Sequence, residues 1–321
     1  MTYRCAVLDD FPGAATTLGD FSPLADRVDV TSFPRHFATE DELVAAVADF
    51  EIIVTFRERV AFPASVLDRL PRLRLLVATG ARNTVIDYEA ARRRGVTVCG
   101  TPSAGAPPVE LTWALILGLA RHLVTEAGAL RSGGPWQSTV GWDLRGRRLG
   151  VLGLGRIGTQ VAKVGLAFGM EVSAWSRSLT EERAAEVGVQ RAPSLDELLA
   201  TSDVLTVHLA LNEGTRALVG KRELALMRPT SHLVNTARAA IVDQEALFAA
   251  LHEGRIAGAA LDVFDVEPLP EDHPARSAPG LLATPHLGYV SRDNLRTQLQ
   301  GAVEDIEAFL AGEPLRVLGA D

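Results

Sequence analysis

Short aliphatic and β-branched runs alternate along the chain with stretches whose apolar positions recur at helical spacing, the pattern of parallel sheets covered by helices. In the first third these runs predict strands over 5–8, 28–33, 52–56, 73–78 and 96–99. Between them a helix is expected over 41–48, with Thr39 as N-cap and Glu42 as its capping-box partner. Another is expected over 87–94, stopped by Gly95, because glycine accepts the left-handed position that ends a helix.

The middle of the chain breaks this rhythm. Pro107 and Pro108 precede a mostly apolar stretch, 109–130, closed by Ser132, Gly133, Gly134 and Pro135. A helix apolar on most sides must be buried on most sides, so this one is expected between domains or between subunits. A second alternating series follows, with strands over 148–152, 171–175, 204–209, 232–235 and 257–261. Its helices are expected over 156–168, 195–200 and 245–253, and a long final helix over 293–310.

Composition narrows the class. A chain of 321 residues exceeds one ordinary core and points to two domains. Apolar residues at 47% and charged residues at 22% fit a globular enzyme. The net charge of -8 argues against nucleic acid as a bulk partner, although a local arginine cluster still attracts a small anion. Cys5 and Cys99 form no disulfide framework and lie in no metal-ligand spacing, so no metal is expected. Residues 1–10 carry charges where a signal peptide needs an apolar run, and the longest such run, 111–120, is far short of a bilayer span. The expectation is a soluble cytoplasmic protein with no membrane partner.

Candidate chemistry begins at Gly153-Leu154-Gly155-Arg156-Ile157-Gly158, which joins a predicted strand to a predicted helix. In that setting Gly153 permits the tight turn, Gly155 lets the backbone approach a pyrophosphate, and Gly158 lets helix and strand pack closely. The free N–H groups of the helix start, at Arg156 and Ile157, and the helix dipole then favour the phosphates of a dinucleotide. NAD enzymes place an acid at the end of the next strand to hold the ribose hydroxyls. Here that strand ends in Ser176-Arg177-Ser178. Without a carboxylate, Arg177 is free to pair with a 2′-phosphate, which favours NADP(H) over NAD(H); the alternative is that Arg177 is a solvated surface residue.

Three further segments each follow a strand candidate: Asn235-Thr236-Ala237-Arg238, then 261–268, then Thr284-Pro285-His286-Leu287-Gly288. All three can meet at the carboxyl edge of one sheet, where open α/β sheets bind ligands. In this order after the glycine loop, they resemble the D-isomer-specific 2-hydroxyacid dehydrogenase family over nearly the whole chain. The resemblance implies that Arg238 binds the substrate carboxylate and polarises its keto oxygen. It also implies that His286 is the acid in reduction and the base in oxidation, bonded to Glu267. A neighbouring carboxylate favours the protonated imidazole, which gives that pairing physical sense. By the same resemblance Asp262 holds the nicotinamide carboxamide, and His208, Thr215 and Thr236 lie near the cofactor. The implied fold is a Rossmann-type dinucleotide-binding domain, 103–289, inserted into a flavodoxin-like substrate domain, 1–102 with 290–321. The implied active site lies in the cleft between them, and the implied assembly is a homodimer.

The chain departs from the family pattern in its substrate loop, Thr79-Gly80-Ala81-Arg82-Asn83. Gly80 and Ala81 retain backbone donors for the carboxylate, while Arg82 and Arg57 add cations. Either arginine is expected to bind a second anionic group of a larger substrate, or else to pair with Glu58 or face water. Trp142 and Tyr289 are further candidates for the pocket wall. Competing readings are a nucleotide-sensing, corepressor-like binding protein, which keeps the same triad, and a phosphite dehydrogenase. A formate dehydrogenase is disfavoured, since that relative carries glutamine where Glu267 stands.

Overall fold

The computed structural model describes residues 2–319. These divide into two compact units, 2–104 with 290–319, and 105–289.

The first unit is built on five parallel strands: β1 (Tyr3–Leu8), β2 (Val28–Ser32), β3 (Ile52–Thr55), β4 (Leu75–Ala78) and β5 (Thr97–Gly100). Their spatial order is β2-β1-β3-β4-β5. Every position of β3 and β4 is buried, which is why both read as unbroken aliphatic runs rather than alternating ones. The helix Glu40–Val47 is capped by Thr39, whose Oγ1 accepts the Glu42 N–H at 3.2 Å. The return bond from Glu42 lands one residue upstream of the cap, on the Ala38 N–H at 3.1 Å. The helix Tyr88–Arg93 is capped by Asp87, and Gly95 takes φ 69° just beyond it. The edge of β5 is covered by the C-terminal segment, where Val317 bridges Cys99 in antiparallel fashion. The final helix, Arg292–Leu310, turns Leu295, Leu299, Val303 and Ile306 inward.

The second unit carries β6 (Arg148–Leu152), β7 (Glu171–Trp175), β8 (Gln190–Arg191), β9 (Val204–Val207), β10 (His232–Asn235), β11 (Gly258–Leu261) and β12 (Leu281–Ala283). They run parallel in the order β12-β11-β10-β9-β6-β7-β8. Separate apolar clusters pack on its two faces, one around Leu205, Leu233 and Leu247, the other around Ile116, Val151 and Val161. The helix Glu181–Val187 and the strands β8 and β12 were not expected from sequence. They are short, and β8 has no apolar residue to announce it.

The central apolar stretch corrects the expectation of one buried helix over 109–130. Two helices stand there, Ala106–Ala120 and Leu123–Arg131, and the chain breaks at His122, φ 50°. Pro107 and Pro108 lie inside the first turn, where their missing N–H groups go unused anyway, rather than before the helix. The first helix buries Val109, Trp113, Leu115 and Ile116; the second buries nothing in the chain. Among the described residues no helix is long and apolar enough to cross a membrane.

Candidate functional site

Strand order in the second unit reverses between β6 and β9, and the chain leaves their carboxyl ends at Gly153 and His208. Gly153 adopts φ 104°, a conformation that glycine alone takes readily. A Cβ on Gly158 would run into the Gly153 carbonyl, so both glycines are needed for the turn to close. Gly155 differs: a Cβ there would meet nothing within 4 Å. It is the extended N-cap of the helix Arg156–Ala167 and supplies no side chain to the first-turn N–H groups of Arg156, Ile157 and Gly158. The loop thus presents uncapped donors to open space.

That space is a cavity of about 500 Å³, running from Gly153–Gly155 past the ends of β7 and β9. Ser176, Arg177, His208 and Thr215 line it, and no carboxylate does. Arg177 Nη2 lies 3.4 Å from the Gly214 carbonyl. Arg183 also lines the cavity, its Nη2 3.3 Å from Thr159 Oγ1 on the glycine-loop helix. Sequence reasoning missed Arg183, although its position seven residues after Ser176, one turn into a capped helix, was a readable signal. Thr215 Oγ1 donates to the Ala210 carbonyl and accepts the Asn212 N–H, fixing the far wall. Burial pushes His208 down to about 3, so its ring is neutral, with Nε2 2.8 Å from Thr206 Oγ1.

The other candidates stand at the carboxyl ends of β10, β11 and β12. After β10, Asn235 folds the chain back on itself: its Oδ1 accepts the Ala237 N–H and its Nδ2 donates to the Arg238 carbonyl. Arg238 Nη1 donates to the Ala237 carbonyl at 2.8 Å. Thr236 is tied to Thr112, with 2.8 Å between the hydroxyls. After β11 comes Asp262, fully buried. Its Oδ1 accepts from Thr284 Oγ1 and the Leu287 N–H, and its Oδ2 from the Gly288 N–H, each at 2.7 Å. Burial pushes its pKa above the usual carboxylate range, against the pull of those hydrogen bonds. The carboxylate expected to meet a carboxamide is therefore engaged in pinning the loop that carries His286. Within that loop His286 is held at φ 52°, and its Nδ1 lies 2.7 Å from Glu267 Oε2. Glu267 Oε1 accepts the Phe264 N–H at 2.8 Å. Tyr289 packs edge-on against the His286 ring, 5.6 Å between centroids. Trp142 does not belong here. It stacks 5.0 Å from His232, the first residue of β10, at the opposite edge of the sheet.

In the first unit the segment 79–83 follows β4. The Gly80 N–H donates to Thr101 Oγ1 at 3.0 Å, and its carbonyl accepts the Thr101 N–H. This corrects the expectation that Gly80 offers its amide to a carboxylate, since the donor is already engaged. Gly80 matters instead for the side chain it lacks: a Cβ there would collide with the Arg57 guanidinium. Ala81 and Arg82 are exposed, and their N–H groups donate to no acceptor among the described residues. Among those residues no three His, Cys, Asp or Glu side chains are grouped to hold a metal.

Residues 113–288 match the model of the D-isomer specific 2-hydroxyacid dehydrogenase, NAD binding domain. The chain is 42% identical to the glyoxylate reductase of Aeropyrum pernix over 256 residues, 77% of this chain and 76% of that one. It is 34% identical to the D-3-phosphoglycerate dehydrogenase of Methanocaldococcus jannaschii over 86% of its own length, but spans only 52% of that relative. The crystal structure of a phosphoglycerate oxidoreductase from Vibrio cholerae superposes with a TM-score of 0.93 at 36% identity, covering 97% of this chain and all of that one.

Proposed function

The chain belongs to the D-isomer-specific 2-hydroxyacid dehydrogenase family, and on that premise we propose that it interconverts a 2-keto acid and a D-2-hydroxy acid, preferring NADP(H). Its two parallel sheets are the Rossmann-type and flavodoxin-like sheets of that family, and enzymes of this kind act on a CH–OH group. The observation that carries the reading is the 2.7 Å Glu267–His286 pair, at the same sheet edge as Arg238 and the glycine loop.

A bound nicotinamide dinucleotide supplies or accepts the hydride. Gly153, Gly155 and the N–H groups of Arg156, Ile157 and Gly158 would hold its pyrophosphate, where the open space at Gly155 fits it. Ser176, Arg177 and Arg183 would hold its adenosine end. Two arginines and no carboxylate suit a 2′-phosphate, which a ribose-binding acid would repel. His208 and Thr215 close the cavity wall.

Arg238 binds the substrate carboxylate and polarises the keto oxygen with its fork of donors. Glu267 directs the Nδ1–H of His286 towards itself, leaving Nε2 to give a proton to that oxygen in reduction and recover it in oxidation. Asp262 acts through the loop it pins, and Thr236, tied to Thr112, steadies the segment that carries Arg238. The exposed apolar side chains of 123–140 form the contact face of a homodimer.

The test is a panel of 2-keto acids assayed with NADPH and NADH in parallel. Turnover with NADPH favoured is expected, and Arg177→Ala with Arg183→Ala should reverse the preference. His286→Ala should abolish reduction and still bind NADPH; an active variant would refute the assigned proton donor. Tight NADPH binding with no turnover of any keto acid would make the chain a nucleotide-sensing binding protein instead.

A further inference from the structure

The segment that joins β11 to Glu267 has no ladder of its own. After Leu261 the chain runs through Asp262, Val263, Phe264, Asp265 and Val266, and among the described residues none of 263–266 makes a backbone–backbone hydrogen bond. Asp265 and Val266 face solvent. Val263 and Phe264 are buried, Phe264 edge-on to His273 with 6.3 Å between ring centroids. Apolar burial is non-directional, so it keeps these two inside without setting where the carboxylate that follows must point.

Gln244 supplies that direction. It is 3% exposed and stands at the first position of the helix Gln244–His252. Its Nε2 donates to the Val263 carbonyl at 2.9 Å, and its Oε1 accepts the Asp265 N–H at 3.4 Å. A backbone carbonyl only accepts and a backbone N–H only donates, so the amide fits in one orientation, and a carboxylate or an ammonium could satisfy only one of the two. The helix start behind it is fixed in turn. Asp243 Oδ1 accepts the Ala246 N–H, the Asp243 N–H donates to the Val219 carbonyl, and Leu247 and Leu251 are packed in the core. Gln244 therefore carries the position of a packed helix to the backbone on either side of Phe264. The Phe264 N–H donates to Glu267 Oε1 at 2.8 Å, and the other oxygen, Oε2, meets His286 Nδ1 at 2.7 Å. Every member of this series lies in the second unit. Packing alone does not ask for an amide here, since a methionine of the same length would fill the space.

We propose that Gln244 is a positioning residue for the proton transfer, holding the backbone against which Glu267 braces as it aims His286. This rests on the dehydrogenase reading above. Gln244 touches neither substrate nor cofactor in this role, so its removal should slow the chemical step without weakening binding.

The experiment is a double-mutant cycle on the full chain: wild type, Gln244→Met, Glu267→Gln and the two together, assayed with NADPH and the best keto acid of the panel above. Gln244→Met should lower kcat about tenfold, with KM and NADPH affinity little changed. In the Glu267→Gln background the same substitution should cost nothing further, because the carboxylate it positions is gone. NADPH titration reports whether each variant is folded. Gln244→Glu keeps the bond to Asp265 and loses the one to Val263, and it carries the test, with the same split, if Gln244→Met is not folded. An unaltered kcat, a loss confined to KM or NADPH binding, or equal losses in both backgrounds would overturn the positioning role and leave the dehydrogenase reading intact. No turnover of any keto acid by the wild type would overturn both.

Discussion

Each oxygen of the Glu267 carboxylate has its own partner, the Phe264 N–H on one side and His286 Nδ1 on the other. Both partners donate, so a carboxylate satisfies them and an amide does not. Glu267→Gln would turn an NH2 group towards one donor and free the imidazole to change tautomer. The expected loss in kcat is about 100-fold, with NADPH affinity unchanged. Stopped-flow oxidation of NADPH measures it, and an unaltered rate would remove Glu267 from the proton path. This pair was legible in the sequence because each member follows a strand and the segments come in a recognisable order. The engaged amide of Gly80 was not legible, since its acceptor, Thr101, lies 21 residues away across β5. Arg183 was readable from its spacing after Ser176, but nothing local says that its helix packs beside the glycine-loop helix and so brings it to the cavity.

At the scale of elements, strand centres were legible and ends were not. Phe33 and Phe56 extend the apolar runs of β2 and β3 but lie beyond the strands, where the chain already turns towards the site. The apolar stretch after Pro108 shows the deeper limit. Apolar character says that a surface must be covered, not what covers it, and nothing in Arg121-His122 announces a break. In the helix Leu123–Arg131 and the segment after it, Leu123 is 53% exposed, Val124 64%, Leu130 58%, Trp136 81% and Val140 93%. So many exposed large apolar side chains within one stretch of chain mark an interaction face. A second copy of the chain is the expected cover. Light scattering should show a dimer for the wild type and a monomer for Val124→Glu with Leu130→Glu, with NADPH binding left in place. A wild-type monomer at micromolar concentration would remove the assignment.

The molecule as a whole has two units whose stabilities should answer pH with opposite signs. In the second unit, burial pushes His208 down to about 3 and His232 down to about 4. Unfolding returns each ring to water, where it takes up a proton below pH ~6.5. The unfolded state then binds more protons than the folded one, so this unit loses stability as pH falls from there towards the depressed values. The loss by pH 5 is roughly 2 kcal/mol for each histidine. In the first unit burial pushes Asp305 up to about 7, against the pull of Arg316. There the folded state holds a proton that the unfolded chain releases, so stability is gained as pH falls below 7 and lost as it rises through that value. The chain offers a clean way to separate the two, because Trp113, Trp136, Trp142 and Trp175 all lie in the second unit. Denaturation followed by tryptophan fluorescence should show a midpoint that drops between pH 7.5 and pH 5, while circular dichroism, which reports both units, shows a smaller shift. His208→Gln with His232→Gln should flatten the fluorescence trend, and Asp305→Asn should act only on the circular dichroism. A fluorescence midpoint indifferent to pH would mean that neither histidine is buried neutral in the folded protein.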